Sequence, residues 1–140
     1  MTIDFVLLPV FVEVGLTFFL LFWTGRTRVA AVRSREVLIP DVALGQPGWP
    51  ARVTLIANAY HNQLQLPVLF YVLVILALFT RKADLLFVVL AWMFVTTRLV
   101  HAAIHVTSND MRTRFAAFAA GAVILLIMWI IFAMRILLGL

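Results

Sequence analysis

Polar and apolar positions along this chain fall into long blocks, not into the short alternations of a soluble domain. From about Phe5 to Trp23 the residues are almost wholly apolar, close to the roughly 20 that a helix needs to cross ~30 Å of hydrocarbon. Comparable blocks run from about Ala51 to Thr80, Leu85 to Val106 and Phe115 to Leu138. The pattern predicts an all-α, integral membrane four-helix bundle of up-down-up-down topology, forming one domain over residues 1–140. The first block carries no basic segment ahead of it, exceeds the apolar core of a signal peptide and lacks an Ala-x-Ala-like end. It therefore reads as a retained span.

Between the first two blocks lie Gly25-Arg26-Thr-Arg28, Arg33-Ser-Arg35-Glu36, Pro40 and Gly45-Gln-Pro-Gly-Trp-Pro50. Glycine and proline at that density predict a loop. Arg81-Lys82-Ala-Asp84 predicts a tight turn, and Thr107-Ser-Asn-Asp110 separates the third block from the fourth. Arginines gather on the first connection (Arg26, Arg28, Arg33, Arg35, then Arg52) and the third (Arg112, Arg114), against Arg81 and Lys82 on the second. The positive-inside rule then expects both termini outside the cytoplasm.

Polar residues inside the blocks carry the functional signal. Arg98, His101 and His105 step by three and four residues, which makes one stripe on a helix. Arg112 extends the stripe by a heptad if the helix runs on past Asn109. An arginine in a span costs ~2.5–3.5 kcal/mol on insertion scales, so it faces protein or water and marks a site by default. In the second block Asn58, His61, Asn62 and Gln65 recur at similar steps, just before Pro67, which can kink the helix. The topology sets both stripes at one depth, in the cytoplasmic half, and predicts a shared water-accessible site. Glu13, midway along the first span, reads either as the partner of a basic or amide group on a neighbouring helix or as a proton relay or substrate contact. Ala117 and Gly121 form a small-xxx-small pair suited to close helix packing, and Arg135 can snorkel to the opposite interface.

Composition narrows the classes. Hydrophobic residues are 65% of the chain and charged ones 12%, the mark of a polytopic membrane protein. There is no cysteine, which removes disulfides, thiolate metal sites and a cysteine nucleophile. The net charge of +5 comes from arginines at span ends, so nucleic acid is not the expected partner.

At these residues the chain resembles the family of membrane-associated proteins in eicosanoid and glutathione metabolism (MAPEG), over nearly its whole length. The family's second helix resembles Arg-x-x-x-Asn-x-x-Glu shortly before a proline, where this chain has Asn58, Asn62, Gln65 and Pro67. Its third-helix pattern, Arg-x-x-Tyr-x-x-x-Tyr and a later arginine, is matched in spacing by Arg98, His101, His105 and Arg112. Pro67-Val-Leu-Phe70-Tyr71 looks like bacterial members, which implies a bacterial inner membrane. The resemblance implies a homotrimer with glutathione held between subunits by Asn58, Asn62, Gln65, His101 and His105. It makes Arg112 the thiol-activating arginine and Arg98 a structural one. Where the family has arginine and glutamate, this chain has Asn58 and Gln65, and a neutral amide cannot reproduce a bidentate carboxylate clamp.

The reaction implied is conjugation to, or reduction of, a lipophilic electrophile arriving from the bilayer. His101 or His105 would supply a hydrogen bond or act as general acid or base, since imidazole titrates near neutrality. Two other readings stay open: a non-catalytic binding or scaffold protein with a remodelled site, and metal binding by His61, His101 and His105. No acidic residue accompanies those histidines in the motif, so no metal ligand set is assigned.

Overall fold

A computed structural model describes residues 1–140 and contains helices and connections only. Helix α1 spans Ile3–Arg33, α2 Ile39–Val42, α3 Ala51–Asn62, α4 Leu66–Phe79, α5 Leu85–Val106 and α6 Met111–Leu137. Taking α3 and α4 as one interrupted span, four segments of 31, 29, 22 and 27 residues are long and apolar enough to cross a membrane. They run up and down in turn, with α5 packed along α6 and against α1 and α3, and α4 against α1 and α6. The expected four-helix bundle is what the chain forms.

Two boundaries differ from expectation. The first helix does not end near Trp23; it continues through Gly25 to Arg33. A lone glycine costs a helix only about 1 kcal/mol, and the Thr, Arg, Val and Ala residues after it hold the helix together. The loop is confined to the segment richer in proline and glycine, with the short α2 inside it. The second span, expected to be merely kinked at Pro67, is broken outright at residues 63–65. Pro67 stands in the first turn of α4, where a missing N–H costs nothing, and so it starts a new helix.

The buried residues of α1 (Val6, Pro9, Glu13, Leu20, Thr24 and Ala31) form one stripe of near-heptad spacing. Three apolar clusters lie along it. The largest joins Val6, Phe70, Leu73, Val74, Phe94, Leu125 and Met128 from α1, α4, α5 and α6, with the Phe70 and Phe94 rings 4.8 Å apart. A smaller one further along α1 is only Leu20, Ala59 and Ala102, and Ala31, Val37 and Val53 form the third at the α1–α3 connection. Lipid is as apolar as leucine, so such helices associate by close packing. Gly121 on α6 is the tightest approach: a Cβ there would lie 2.7 Å from the Thr97 hydroxyl of α5. Asp84 and Asp110 cap α5 and α6 by accepting from the backbone N–H of Phe87 and Thr113.

Candidate functional site

Beside the smaller apolar cluster the bundle interior is polar. Arg98 is fully buried, as its place on the inward stripe of α5 requires. One guanidinium nitrogen, Nη2, donates to the Asn62 side-chain oxygen at 2.8 Å and to the Asn62 carbonyl at 3.3 Å. α3 stops at Asn62, so that carbonyl has no partner within the helix and is shared between Arg98 and the Gln65 N–H of the turn, at 3.3 Å from each. The Arg98 guanidinium also lies 5.8 Å from the centre of the Phe118 ring. Its Nε and Nη1 have no partner in the chain.

His101 and His105 follow on the same buried stripe, their rings 5.6 Å apart and edge to face. The Nδ1 of each is buried without a hydrogen-bond partner. Glu13 is equally buried, and neither carboxylate oxygen is bonded. Arg98 is the only arginine or lysine buried in the chain with it. The two are not in contact, because the ion pairs of the chain are Arg52–Glu36 and Arg135–Asp84, both at span ends. Of the alternatives raised by the sequence, a direct partner for Glu13 is therefore not what the fold supplies.

A cavity of about 300 Å³ opens on this region. Asn58 and Asn62 of α3, His101 and His105 of α5, and Met111, Arg114, Phe115 and Phe118 of α6 line it. The two polar stripes thus converge, but not with every expected member. Asn58 and Asn62, four residues apart, share a face; His61 lies a helical step away and is exposed. Gln65 is past the end of α3 and exposed, and does not line the cavity. The buried amide is Gln63, which the sequence pattern passed over; its Nε2 donates to the Ala59 carbonyl at 3.5 Å and its Oε1 is unpaired.

The arginine also changes. Arg112 was expected on the stripe provided that the third helix ran past Asn109. It stops at Val106, and Asn109 has φ 49, so the turn resets the helical phase before α6 begins. Arg112 is exposed and outside the cavity, whereas Arg114 lines it. Arg114 is held by Asn109 Oδ1, and by Met111 Sδ at 3.0 Å. His61 does not join His101 and His105 at the cavity, and no group of three His, Cys, Asp or Glu side chains comes together in the chain.

Four apolar spans around a polar cavity at one level of the bundle make this a polytopic membrane protein. The sequence model of the MAPEG family matches residues 6–134, and the chain belongs to that family. No curated protein and no solved structure matches the chain.

Proposed function

We propose that the chain is one subunit of a glutathione-dependent transferase or peroxidase acting on lipophilic electrophiles that reach it through the bilayer. The observation that carries this reading is that Arg114, Asn58, Asn62, His101 and His105 line one cavity. Glutathione would bring the thiol nucleophile. Arg114 would be the cation that favours the thiolate, the role that the family resemblance implied for Arg112. Asn58 and Asn62 would bind amide or carboxylate groups of the tripeptide, with Arg98 fixing how the Asn62 amide points. In conjugation the thiol proton leaves, a sulfur–carbon bond forms, and the electron pair displaced onto the electrophile takes up a proton. His101 and His105, whose Nδ1 atoms are buried without partners and whose rings are 5.6 Å apart, would carry that proton.

The remaining parts of the reading follow the same chemistry. Asn58, His61 and Gln65 are exposed at the level of the cavity, where lipid would leave their polar groups unpaired. A second copy of the chain covers them in the homotrimer that we propose. The arginine-rich side faces the cytoplasm, of a bacterial inner membrane, and both termini lie on the other side.

One observation favours a second reading, a binding or scaffold protein with a remodelled site. Asn58 stands at the position where the family resemblance implies an arginine, and the one arginine of α3, Arg52, is paired with Glu36. Glutathione titrated into purified protein, read as a rise in thermal midpoint, separates the two. A saturable rise that Arg114→Ala weakens supports the enzyme. No rise up to millimolar glutathione, with a rise restored by Asn58→Arg, overturns it in favour of the remodelled site.

A further inference from the structure

Glu13 takes no part in the chemistry proposed for the cavity, yet it does not stand alone. On α1 it lies midway between Val6 of the largest apolar cluster and Leu20 of the cluster beside the cavity. On the second span Gln63 lies between Ala59 and Phe70, members of the same two clusters. On α5 Arg98 lies between Val95 of the largest cluster and Ala102 of the other. Three spans therefore place a polar side chain at the level where one apolar cluster gives way to the next. α6 places Gly121 there, where a Cβ would lie 3.8 Å from Arg98 Cδ.

Glu13, Gln63 and Arg98 are all buried, at 0%, 1% and 0% exposure, and much of their hydrogen-bonding capacity is unused. Both carboxylate oxygens of Glu13, Oε1 of Gln63, and Nε and Nη1 of Arg98 lack partners in the chain. No direct ion pair joins Glu13 to Arg98. Hydrocarbon offers such groups nothing, so they must be served inside the bundle. The mixture of donors and acceptors selects what can serve them. A metal cation would suit the oxygens of Glu13 and Gln63, but Arg98 repels it and has no lone pair to give. An anion would suit Arg98, but Glu13 repels it. Water both donates and accepts, and it bridges buried polar groups that do not meet directly.

We propose that this layer is an internal water-binding site, where water accepts from Arg98 Nε and Nη1 and donates to the Glu13 carboxylate and Gln63 Oε1. Arg98 ties the site to the cavity, because its Nη2 donates to the side-chain oxygen of Asn62, which lines the cavity. Water on the other two nitrogens fixes the plane of the guanidinium. Glu13 is thereby a positioning residue for the Asn62 amide. The site does not depend on what the cavity binds.

The test is solid-state NMR on the whole protein in lipid bilayers, with glutamate carboxyl carbons and arginine nitrogens isotope-labelled. The chain has two glutamates, and Glu36 is paired directly with Arg52 at 2.6 Å, which makes it the reference for a direct contact. Arg98 Nε, identified by its loss in Arg98→Met, should receive magnetisation from water although the residue is fully buried. Arginine nitrogen should dephase the Glu13 carboxyl clearly less than that of Glu36. In Glu13→Gln, which keeps an acceptor, the transfer from water to Arg98 should persist. In Glu13→Leu it should be lost, and the Asn62 side-chain amide signal should shift. Equal dephasing of Glu13 and Glu36 would reveal a direct ion pair, and no transfer from water to Arg98 Nε in the wild type would reveal a dry layer. Either result overturns the proposal, whether or not the variants fold. Unchanged Arg98 and Asn62 signals in Glu13→Leu would overturn the positioning role of Glu13.

Discussion

The half of the bundle around Phe70 and Phe94 is held by shape, and the half around Arg98 is not. In the first, large apolar side chains from four helices fill the interior, and at its rim Arg135 pairs with Asp84, which also caps α5. In the second, the apolar contribution shrinks to Leu20, Ala59 and Ala102. The rest of that interior holds Glu13, Gln63, Arg98, His101 and His105, with several polar atoms unpartnered. Unpaired buried polar atoms cost about 1–3 kcal/mol each, so a bundle selected for stability alone would not gather them at one level. The difference teaches that a membrane bundle can be anchored at one end and left chemically open at the other.

The largest effect that would test this contrast is Arg98→Met. It strips the Asn62 side-chain oxygen of its donor, leaves the Asn62 carbonyl with the Gln65 N–H alone, and leaves the buried Glu13 with no buried arginine or lysine in the chain. We expect a loss of about 3 kcal/mol in unfolding measured in mixed detergent. Combining it with Glu13→Gln should cost less than the sum of the two, because the carboxylate would no longer be stranded. Additive losses would show that Glu13 and Arg98 are independent.

Next is Gly121→Ala, where the new methyl meets the Thr97 hydroxyl at 2.7 Å. Overpacking of this kind costs about 1–3 kcal/mol. In a Thr97→Ala background the same substitution should be nearly neutral, which locates the conflict at that hydroxyl and not in the α5–α6 backbone. Equal losses in both backgrounds would place it elsewhere.

At the anchored end the expectation is smaller and depends on pH. The Arg135 guanidinium donating to Asp84 holds that carboxyl below its ordinary value of 3.8. A group depressed in the folded state stabilises fully above its unfolded value and loses that contribution as pH falls through its folded one. Asp84 is about half exposed, so the pair is worth about 0.5 kcal/mol. Thermal midpoints should show the wild type losing stability below about pH 4 relative to Asp84→Asn, which lacks that step. Parallel profiles would remove the pair from the account.

The spans were legible because a bilayer demands length and apolarity, and Arg98, His101 and His105 were legible because α5 is a regular helix. What failed was phase across interruptions. Three- and four-residue steps place Gln65 beside Asn62 only on a continuous helix, and the chain breaks between them. A heptad places Arg112 below His105 only if the helix does not end at Val106, and the left-handed Asn109 ends that register. Gln63 was missed for the same reason, since its burial belongs to the turn that separates α3 from α4. Gly25 misled in the other direction: it has the composition of a loop, but the residues after it carry the helix on.

The most direct test of the account compares the two arginines at the head of α6. Arg112 is exposed and Arg114 lines the cavity, two residues and about half a helical turn apart. The ultraviolet absorbance of the thiolate can be followed as reduced glutathione is titrated into wild type, Arg112→Ala and Arg114→Ala at neutral pH. The account predicts a saturable thiolate signal in wild type and Arg112→Ala, and its loss in Arg114→Ala. A signal that survives in Arg114→Ala and vanishes in Arg112→Ala would contradict it.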